Sequence, residues 1–529
     1  MADQELVTCS IDGVEVSVPK GTTILEAAKQ AGVLVPHYCY HPGLPVAGVC
    51  RMCLVEVEGM PKLAIGCATS VAQGQVVRVN DSEQAKRARQ GVLEFLLLNH
   101  PLDCPICDQA GECELQNYVF QEGRERTRYS PTYPKRFNPV EDFGGDVLYV
   151  PNRCILCTRC VRFMEHAAGE RVLNVSERGD RAFIGIHPDR DLDHPWAGNV
   201  VDLCPVGSLL SKDFLHKARA WELDHTPSVC TGCSQGCNVN LDTRAHTVVR
   251  VRPRPNRDVN RYFMCDHGRR TYRALNRGDR LEAPLVLDGG ALTAVDWDHA
   301  MGRAAQVVKG STGKAVILAS AAASSEALYL ATRVLGNVRL TAAVRAPHVP
   351  GEEPLPGVPD LALRAERAPN VAGARAVGYG DGFEAALQAV AGAALVLVLG
   401  DDLEGVSREV LQGAANLIYV GTRLPEPARG ATVVFPAANV AEEDGTFVNR
   451  DGRVQRYLQA KPAPGMARPA WWILGELLAE LGSDEPLGGA DEAFERLAAE
   501  VDAFGGLSYA RLGLGGAVLG SVRAAEVTT

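Results

Sequence analysis

The cysteines of this chain are confined to its first half, which limits the folds and the chemistry that this half can have. All 16 lie between Cys9 and Cys265, and the rest of the 529 residues contain none. The sequence begins MADQELVTCS, without the basic segment and apolar stretch of a secretory signal, so we expect a reducing cytosol. Structural disulfides are rare in that compartment, and clustered thiols there indicate metal or redox chemistry.

Fifteen of the cysteines and one histidine sort by spacing into four sets of four candidate ligands, which we call sites 1 to 4. The sets are site 1, Cys39, Cys50, Cys53 and Cys67; site 2, His100, Cys104, Cys107 and Cys113; site 3, Cys154, Cys157, Cys160 and Cys204; and site 4, Cys230, Cys233, Cys237 and Cys265. Cys9 is left over on a predicted strand, and we interpret it as an inert core residue.

Site 3 has the clearest spacing. Cys154, Cys157 and Cys160 form the compact C-x2-C-x2-C loop that wraps a [4Fe–4S] cluster. In two-cluster ferredoxins a fourth cysteine follows four residues later, but Met164 stands at that position here. The fourth ligand must come from elsewhere, and Cys204, which precedes a proline, is the natural candidate. Zinc sites usually supply two separated pairs of ligands, which makes zinc the less favoured alternative.

The other three sites leave different alternatives open. Site 1 places three loop cysteines and one distant cysteine near a predicted small sheet, which suits a [2Fe–2S] cluster. Site 2 combines one histidine with three cysteines, which is also a common structural zinc set, so its spacing alone leaves zinc open. If site 2 holds a cluster, its neutral imidazole removes one negative charge and should raise the reduction potential. Site 4 again suits a [4Fe–4S] cluster, with zinc as the alternative.

The hydrophobic pattern predicts two kinds of architecture along the chain. Residues 5–80 are typical of short strands around one helix, with a turn signal at Asp12-Gly13, and residues 81–98 are typical of a helix. Beyond about residue 285 the composition shifts to Ala, Val, Leu and Gly, and predicted strands alternate with predicted helices. That alternation indicates a parallel α/β region.

The net charge of the chain and the length of its apolar runs argue against two kinds of partner, nucleic acid and the membrane interior. The formal net charge is −10, and an acidic chain is a poor candidate for binding the phosphate backbone of nucleic acid. The longest apolar runs, such as residues 394–399, are far shorter than the ~20 residues that cross a bilayer. We therefore expect neither nucleic-acid binding nor a direct membrane span.

Six stretches of sequence around these motifs, and a seventh in the second half of the chain, resemble the large iron–sulfur subunit of bacterial respiratory complex I, the proton-pumping NADH–quinone oxidoreductase. PHYCYHPGLPVAGVCRMCLVEVEG is similar to that subunit's [2Fe–2S] domain, and NHPLDCPICDQAGECELQ, the most specific match, is similar to its histidine-ligated cubane segment. RCILCTRCVRF with CPVGSLLSK resembles its next cubane site, and VCTGCSQGCNV with MCDHGR resembles the extra cubane of some bacterial members. EEDGTFVNRDGRVQR is similar to its degenerate molybdopterin-enzyme domain.

The resemblance implies a multi-domain α+β fold. An N-terminal β-grasp [2Fe–2S] ferredoxin domain would span residues 1–81, a [4Fe–4S] segment with one histidine and three cysteine ligands residues 82–122, and a ferredoxin-like [4Fe–4S] domain residues 123–222. A [4Fe–4S] domain of the molybdopterin-oxidoreductase type would span residues 223–284. A shortened α/β molybdopterin-oxidoreductase-like scaffold without metal would span residues 285–529, a region that is often considerably longer in family members.

The resemblance also implies an electron-relay function. One [2Fe–2S] cluster at site 1 and [4Fe–4S] clusters at sites 2 and 3 would carry electrons from the flavin subunit toward the quinone site, and a [4Fe–4S] cluster at site 4 would lie off that route. No molybdenum is implied, and NADH, FMN and quinone would be bound by partner subunits. Those partners are the flavin/NADH-binding subunit, the quinone-site subunits and a ferredoxin-like subunit. The chain would then be an oxidoreductase (translocase) subunit with no catalytic residues of its own, peripheral on the cytoplasmic side of the inner membrane.

Three other classes of protein remain as alternatives. An NAD-linked molybdenum formate dehydrogenase has a similar input region, but such an enzyme usually needs a cysteine or selenocysteine that reaches the metal, and no cysteine follows Cys265. An electron-transfer subunit of an NAD-reducing hydrogenase shares sites 1 to 3, but the long α/β region argues against it. A zinc-stapled interaction protein would use the same ligands without redox chemistry.

Overall fold

The protein's computed structural model describes residues 5–130, 135–336, 338–483 and 485–520. Its internal contacts divide the chain into two compact units. The first unit comprises residues 1–223 and 355–359, and the second comprises residues 224–354 and 360–529. Sites 1, 2 and 3 therefore lie in the first unit, and site 4 lies in the second.

The first unit contains ten short strands and five helices in its described part. The strands are β1 (Leu6–Ile11), β2 (Val14–Pro19), β3 (Leu54–Val57), β4 (Ala64–Ile65), β5 (Val76–Arg78), β6 (Glu141–Asp142), β7 (Val147–Tyr149), β8 (Leu173–Ser176), β9 (Phe183–Ile186) and β10 (Leu209–Ser211). The helices are α1 (Ile24–Gln30), α2 (Glu83–Asn99), α3 (Glu114–Glu122), α4 (Arg159–Arg162) and α5 (Asn199–Leu203).

A five-stranded mixed sheet holds one helix at the start of the first unit. Its strand order is β2-β1-β5-β3-β4, with β1 antiparallel to β2 and parallel to β5. Asp12 and Gly13 turn the chain between β1 and β2 with φ of 45° and 82°, values that suit an Asp-Gly hairpin turn. Helix α1 begins after Thr23, whose hydroxyl accepts from an N–H in the first helical turn, and its apolar side joins the sheet's core. The predicted sheet around one helix is confirmed.

Cys9, the cysteine outside the four sites, lies on β1 within this core. The residue is 2% exposed, and burial raises the pKa of its thiol. A buried thiol of raised pKa stays protonated near neutral pH, and the protonated form is a poor nucleophile. Its placement in the core is confirmed.

Helix α2 leads directly into site 2. Ser82 caps its first turn, because the Ser82 hydroxyl accepts from a backbone N–H three residues on at 3.1 Å. The buried Arg89 on α2 donates through Nε to Glu122 Oε2, at the end of α3, at 2.8 Å. The helix ends at Asn99, and His100 is the next residue. The ion pair between Arg89 and Glu122 therefore joins α2 and α3, the two helices that flank site 2.

Site 3 lies among short elements in the rest of the first unit. Strands β10, β7 and β6 form a small antiparallel sheet, and β8 pairs with β9. Helix α4 runs into one π-helical turn over Phe163–Ala167, and α5 ends immediately before Cys204. Phe143 and Tyr149 stack with ring centroids 4.6 Å apart in this region, and both rings are fully buried. Aromatic packing therefore supports loops that have little regular structure of their own.

The second unit contains the remaining strands and helices of the described residues. The strands are β11 (Asp224–Val229), β12 (Asn238–Arg244), β13 (Thr247–Pro253), β14 (Leu285–Asp288), β15 (Ala291–Ala294), β16 (Lys314–Ser320), β17 (Arg339–Arg345), β18 (Glu353–Pro354), β19 (Ala362–Leu363), β20 (Leu395–Leu399), β21 (Leu417–Gly421), β22 (Val433–Pro436), β23 (Gly445–Val448), β24 (Arg453–Tyr457) and β25 (Ala517–Val518). The helices are α6 (Asp266–Arg269), α7 (Tyr272–Leu275), α8 (Trp297–Gly310), α9 (Ser325–Val334), α10 (Val371–Val377), α11 (Phe383–Gln388), α12 (Arg408–Leu411), α13 (Ala470–Glu480), α14 (Ala490–Glu500) and α15 (Tyr509–Leu512). Among all helices of the described ranges, none combines the length and apolarity needed to cross a membrane.

A seven-stranded sheet forms the core of the second unit. Its order is β15-β14-β22-β21-β20-β16-β17, and the five strands from β22 to β17 are parallel. Every residue of β20 and β21 is buried, as expected for a parallel sheet covered on both faces. Helices α9 and α13 contribute to one large hydrophobic core with residues from one side of this sheet. The predicted parallel α/β region is confirmed, with an antiparallel pair, β14 and β15, added at one edge.

Two small antiparallel sheets complete the second unit. Strands β11, β12 and β13 form a meander. Three of the four site 4 cysteines, Cys230, Cys233 and Cys237, lie in the loop between β11 and β12. Strands β23, β24 and β25 form the other sheet. Phe447 on β23 packs against Tyr457 on β24 with ring centroids 4.5 Å apart.

Two buried carboxyl groups are hydrogen-bonded to tyrosines in the second unit. The Tyr509 hydroxyl donates to Glu326 Oε1 at 2.9 Å, and the Tyr457 hydroxyl donates to Glu443 Oε1 at 2.9 Å. Burial raises the pKa of Glu326 to about 7 and that of Glu443 to about 8, and the two carboxyls also repel each other when ionised. The nearby Glu442 adds to this repulsion at Glu443. Both groups are therefore expected to bind protons near neutral pH.

These two carboxyls are expected to make the second unit less stable as the pH rises. Their pKa values are higher in the folded chain than in the unfolded chain, so the stabilisation is complete below about pH 4.5 and is lost as the pH passes through 7 to 8. The loss is on the order of 3 kcal/mol for each group. Hydrogen exchange of peptides from α9 at about pH 4.5 and about pH 9, corrected for the pH dependence of intrinsic exchange, measures it. Glu326→Gln removes the titrating carboxyl, while its amide oxygen accepts from the Thr446 N–H and its amide N–H donates to the Tyr509 hydroxyl, so the pH dependence should become shallower. An unchanged slope would contradict the assignment.

Candidate metal centres

The four cysteines of site 1 converge at one end of the five-stranded sheet. Cys39 and Cys50 lie in the loop between α1 and β3, Cys53 immediately precedes β3, and Cys67 follows β4. The Cys39 N–H lies 3.5 Å from Cys50 Sγ, and hydrogen bonds from the Cys50 and Cys67 thiols lower the pKa of Cys39. Cys67 also hydrogen-bonds Cys53. The structure therefore links the four predicted ligands through three neighbouring pairs, Cys39 with Cys50, Cys39 with Cys67, and Cys53 with Cys67.

Site 2 is built at the junction of α2 and α3. His100 caps the end of α2, Cys104 begins a short 3-10 turn, and Cys113 caps the start of α3. The Nδ1 atom of His100 is buried and has no hydrogen-bond partner among the described residues. Burial lowers the pKa of His100 to about 4, and the positive charges of Lys135 and Arg153 act in the same direction. The imidazole is therefore neutral at physiological pH, which is the form that binds metals.

A glycine from a distant part of the chain packs against one cysteine of site 2. A Cβ atom placed on Gly207 would lie 2.1 Å from Cys107 Sγ and 3.0 Å from Gln109 Cβ. No residue with a side chain fits at position 207 unless Cys107 moves. Backbone thus approaches the Cys107 sulfur as closely as a glycine allows, whereas Cys104 of the same site is exposed.

Site 3 is wrapped by a loop that alternates between ordinary and left-handed backbone. Leu156 and Thr158 have φ of 52° and 61°, values that leucine and a β-branched residue rarely adopt. The Leu156 N–H points toward Cys154 Sγ at 3.4 Å. Cys160 lies in the first turn of α4, and Cys204 follows α5. Strain of this kind persists only where the surroundings over-determine the loop, as they would around a bound group.

The site 3 thiols surround a small cavity with apolar walls. All four line it, together with Tyr149 and Ile184. Burial raises the pKa of Cys154 to about 11, that of Cys157 to about 12 and that of Cys204 to about 11. Without a metal these groups are protonated, and metal binding would release those protons.

Site 4 lies between the meander and helix α6. Cys230 and Cys233 follow β11, Cys237 immediately precedes β12, and Cys265 caps α6. The Cys230 N–H donates to the Cys237 carbonyl at 2.8 Å, which closes the loop. A Cβ atom on Gly268 would lie 2.9 Å from Cys230 Sγ. Burial raises the pKa of Cys230 to about 12, as it raises those of the site 3 thiols.

The residues present fit iron–sulfur groups in their chemistry. Thiolates are the soft donors that such clusters require, and site 2 offers an imidazole nitrogen that is buried and unpartnered within the described residues. Glycines stand where backbone meets sulfur at sites 2 and 4. In the part of the chain that the structure describes, no three His, Cys, Asp or Glu side chains are arranged to enclose a single metal ion.

Several residues that shape these sites were not predicted from the sequence. They are Gly207 and the buried arginines Arg159 and Arg162. The arginines belong to the same RCILCTRCVRF segment as three site 3 cysteines, and that proximity was the one available signal. Gly207 lies about 100 positions from Cys107, so only a resemblance covering CPVGSLLSK could have suggested it.

Five protein-family models match the chain, in an order that follows the sites. They are a 2Fe-2S iron–sulfur cluster binding domain over residues 4–82, the NADH-ubiquinone oxidoreductase-G iron–sulfur binding region over 89–128, the NADH-quinone oxidoreductase subunit 3 ferredoxin-like domain over 144–210, the molybdopterin oxidoreductase Fe4S4 domain over 223–277, and molybdopterin oxidoreductase over 368–480. These matches support binding of both [2Fe–2S] and [4Fe–4S] clusters.

Curated relatives from bacteria and from a fungus are both named as subunits of NADH–quinone or NADH–ubiquinone oxidoreductase. The G-type subunit of NADH-quinone oxidoreductase from Rickettsia bellii is 40% identical over 334 residues, which are 63% of this chain and 48% of that protein. The chain is a homologue of this G-type subunit. The mitochondrial 78 kDa subunit of NADH-ubiquinone oxidoreductase from Candida albicans is 42% identical over 61% of this chain and 45% of its own length. The chain thus spans about half the length of the curated relatives it matches.

A solved structure of an NAD+-reducing [NiFe]-hydrogenase is also similar. One of its chains is 32% identical, with a match that covers 40% of this chain and 90% of that one. The TM-score is 0.36, which is too low to support an argument about shared function.

Proposed function

We propose that this chain is the electron-relay subunit of a proton-pumping NADH–quinone oxidoreductase. The observation that carries the proposal is that fifteen cysteines and one buried, neutral imidazole sort into four sets of candidate ligands, with the site 3 thiols around one cavity, in a chain homologous to the G-type subunit. The relay would pass electrons from the flavin subunit toward the quinone site. The chain would take part in catalysis as a subunit and would have no active site of its own.

We assign one cluster to each site. Site 1 would hold a [2Fe–2S] cluster through its four cysteines, and sites 3 and 4 would each hold a [4Fe–4S] cluster. Site 2 would hold a [4Fe–4S] cluster through His100 and its three cysteines. The proposal includes the five-domain division predicted from the sequence, with no molybdenum in residues 285–529.

When bound, the clusters would supply one-electron transfer, and the chain's own residues would set the conditions for it. Burial of most of the site 1, site 3 and site 4 cysteines excludes water and lowers the local dielectric. His100 contributes no charge to site 2, so that site carries one negative ligand fewer than the all-cysteine sites, which favours a higher reduction potential. Backbone N–H groups that face sulfur, such as Leu156 at site 3, stabilise negative charge there.

The remaining reactants would belong to partner subunits. NADH and FMN would be bound by a flavin subunit, quinone by the quinone-site subunits, and a ferredoxin-like subunit would carry the electrons onward. The chain would be a peripheral subunit on the cytoplasmic side of the inner membrane. The names of the homologues, which are those of NADH–quinone and NADH–ubiquinone oxidoreductase subunits, support this assembly.

Anaerobic purification with metal and sulfide analysis tests the proposal. We expect about 14 iron atoms and a matching amount of acid-labile sulfide per chain, with low-temperature paramagnetic resonance signals of both cluster types after reduction. Colourless protein with about four zinc ions and no labile sulfide would refute it in favour of a zinc-stapled protein. Stoichiometric molybdenum would refute it in favour of a formate dehydrogenase.

A further inference from the structure

Arg162, in the last position of α4, contacts the backbone of two different sites. Its guanidinium donates through Nη2 to the carbonyl of Cys39, a site 1 residue, and also to the carbonyl of Cys157, a site 3 residue, at 3.3 Å. Its Nη1 donates to the Pro45 carbonyl in the site 1 loop. The residue is 8% exposed. One buried positive charge therefore lies between site 1 and site 3.

The charge of Arg162 is not balanced by a carboxylate of the described residues. Its remaining hydrogen bond is from Nε to the Thr158 hydroxyl at 3.2 Å, so all its partners in that part of the chain are neutral oxygens. The other four buried arginines of the described residues each pair with an acid. Those pairs are Arg89 with Glu122, Arg153 with Asp103, Arg159 with Glu114 and Arg364 with Glu352.

A buried charge without a counterion is costly, so a negative group other than a carboxylate side chain is expected beside Arg162. Thiolates around an iron–sulfide core carry net negative charge, and Arg162 lies beside the ligand residues of two such proposed groups. Burial lowers the pKa of Arg162, and negative charge on Cys157 and on Cys39 acts in the opposite direction. The same attraction acts in the other direction, because a fixed positive charge favours the reduced, more negative form of a nearby redox group.

We propose that Arg162 is a positioning residue whose single positive charge serves as the shared counterion of sites 1 and 3 and raises the reduction potential of both. The proposal rests on the proposed function, since it requires clusters at these two sites. Because one charge acts on both, the potential difference between sites 1 and 3 changes little.

Three variants of the cluster-loaded full chain separate this role from simple hydrogen bonding. Arg162→Met removes the charge and the hydrogen bonds, whereas Arg162→Lys keeps the charge but cannot reproduce the planar fork of donors. Thr158→Asp keeps Arg162 and gives it a carboxylate partner in place of the hydroxyl that it already contacts. Aspartate tolerates the left-handed backbone at position 158 better than threonine does, so this variant is expected to fold.

Potentiometric titration followed by paramagnetic resonance measures the outcome. In Arg162→Met and in Thr158→Asp, the ratio of reduced to oxidised cluster at a fixed potential should fall about tenfold at sites 1 and 3, or about 59 mV for a one-electron couple. In Arg162→Lys, which keeps the charge, the ratio at both sites should stay close to the wild-type value. Arg89→Met, which alters a buried arginine that contacts no site residue among its hydrogen bonds, serves as the matched control.

The outcomes distinguish this inference from the proposed function. Wild-type protein without clusters would refute the proposed function itself. Wild-type protein with clusters, together with unshifted potentials in Thr158→Asp, would refute the role of Arg162 alone, even if Arg162→Met did not assemble. Equal shifts in Arg162→Met and Arg162→Lys would also refute it, because hydrogen bonding rather than charge would then be responsible.

Discussion

Replacing Cys157 with alanine is expected to remove about four of the iron atoms of each chain and to abolish NADH–quinone electron transfer in membranes that contain the variant. Cys157 lies in the buried site 3 loop, and its sulfur lines the same cavity as those of the other three site 3 cysteines. Three thiols would leave the proposed [4Fe–4S] cluster of site 3 one ligand short, and its loss would interrupt the proposed relay. Iron content and NADH–quinone reductase activity of the same preparation give the two readings.

Two other cysteines provide matched controls for this experiment. Cys9→Ala changes a buried thiol that belongs to no site, so the iron content and the activity should stay at the wild-type level. Cys233→Ala should also remove about four iron atoms, but it should leave electron transfer largely intact because site 4 is expected to lie off the route. Normal electron transfer in Cys157→Ala would show that site 3 is not on the route.

Replacing Glu442 with glutamine is expected to lower the free energy of unfolding of the second unit by about 3–5 kcal/mol. The Glu442 side chain is 1% exposed and accepts from both Nη atoms of Arg280 at 2.7 Å. Lys461 Nζ lies 3.3 Å from the same carboxylate. The variant would leave two largely buried cations without their counterion, which costs far more than the loss of one hydrogen bond.

Hydrogen exchange of peptides from β20, β21 and β22 reports this loss within the sheet core. Glu500→Gln is the control, since Glu500 pairs with Arg333 at the surface, where an ion pair contributes only about 0–1 kcal/mol. A Glu442→Gln variant that exchanged like Glu500→Gln would mean that the buried charges find other partners or water.

The four ligand sets could be predicted because their ligands are largely local in sequence. Three ligands of site 3 are separated by only two residues each, so one short loop can bring them to a common point; they are Cys154, Cys157 and Cys160. The distant Cys204 was predictable only through its proline and the resemblance. The structure brings all four to one cavity, while the identity of the bound group stays a prediction.

Several strands and helices of the second unit could be predicted from the sequence, whereas the order of the strands in the sheet could not. The apolar run of β20 and the amphipathic pattern of α9 are visible in the sequence alone. β17 and β21 were not predicted, although each fills a place in the sheet. β20 pairs with β16 across about 75 intervening positions, and nothing local to either strand specifies that pairing.

The sequence by itself determined the sheet around one helix at the start of the chain, several strands and helices of the second unit, the candidate ligands of the four sites, and which family the chain resembles. These properties depend on the periodicity of apolar residues and on the spacing of cysteines, both of which can be read directly from the sequence. Only the tertiary structure decided that Gly207 meets Cys107, that Arg162 reaches the carbonyl of Cys39, and that Glu326 and Glu443 are buried near each other. Desolvation and Coulomb interactions act through space, so residues far apart in sequence acquire their charges and contacts only when the chain has folded.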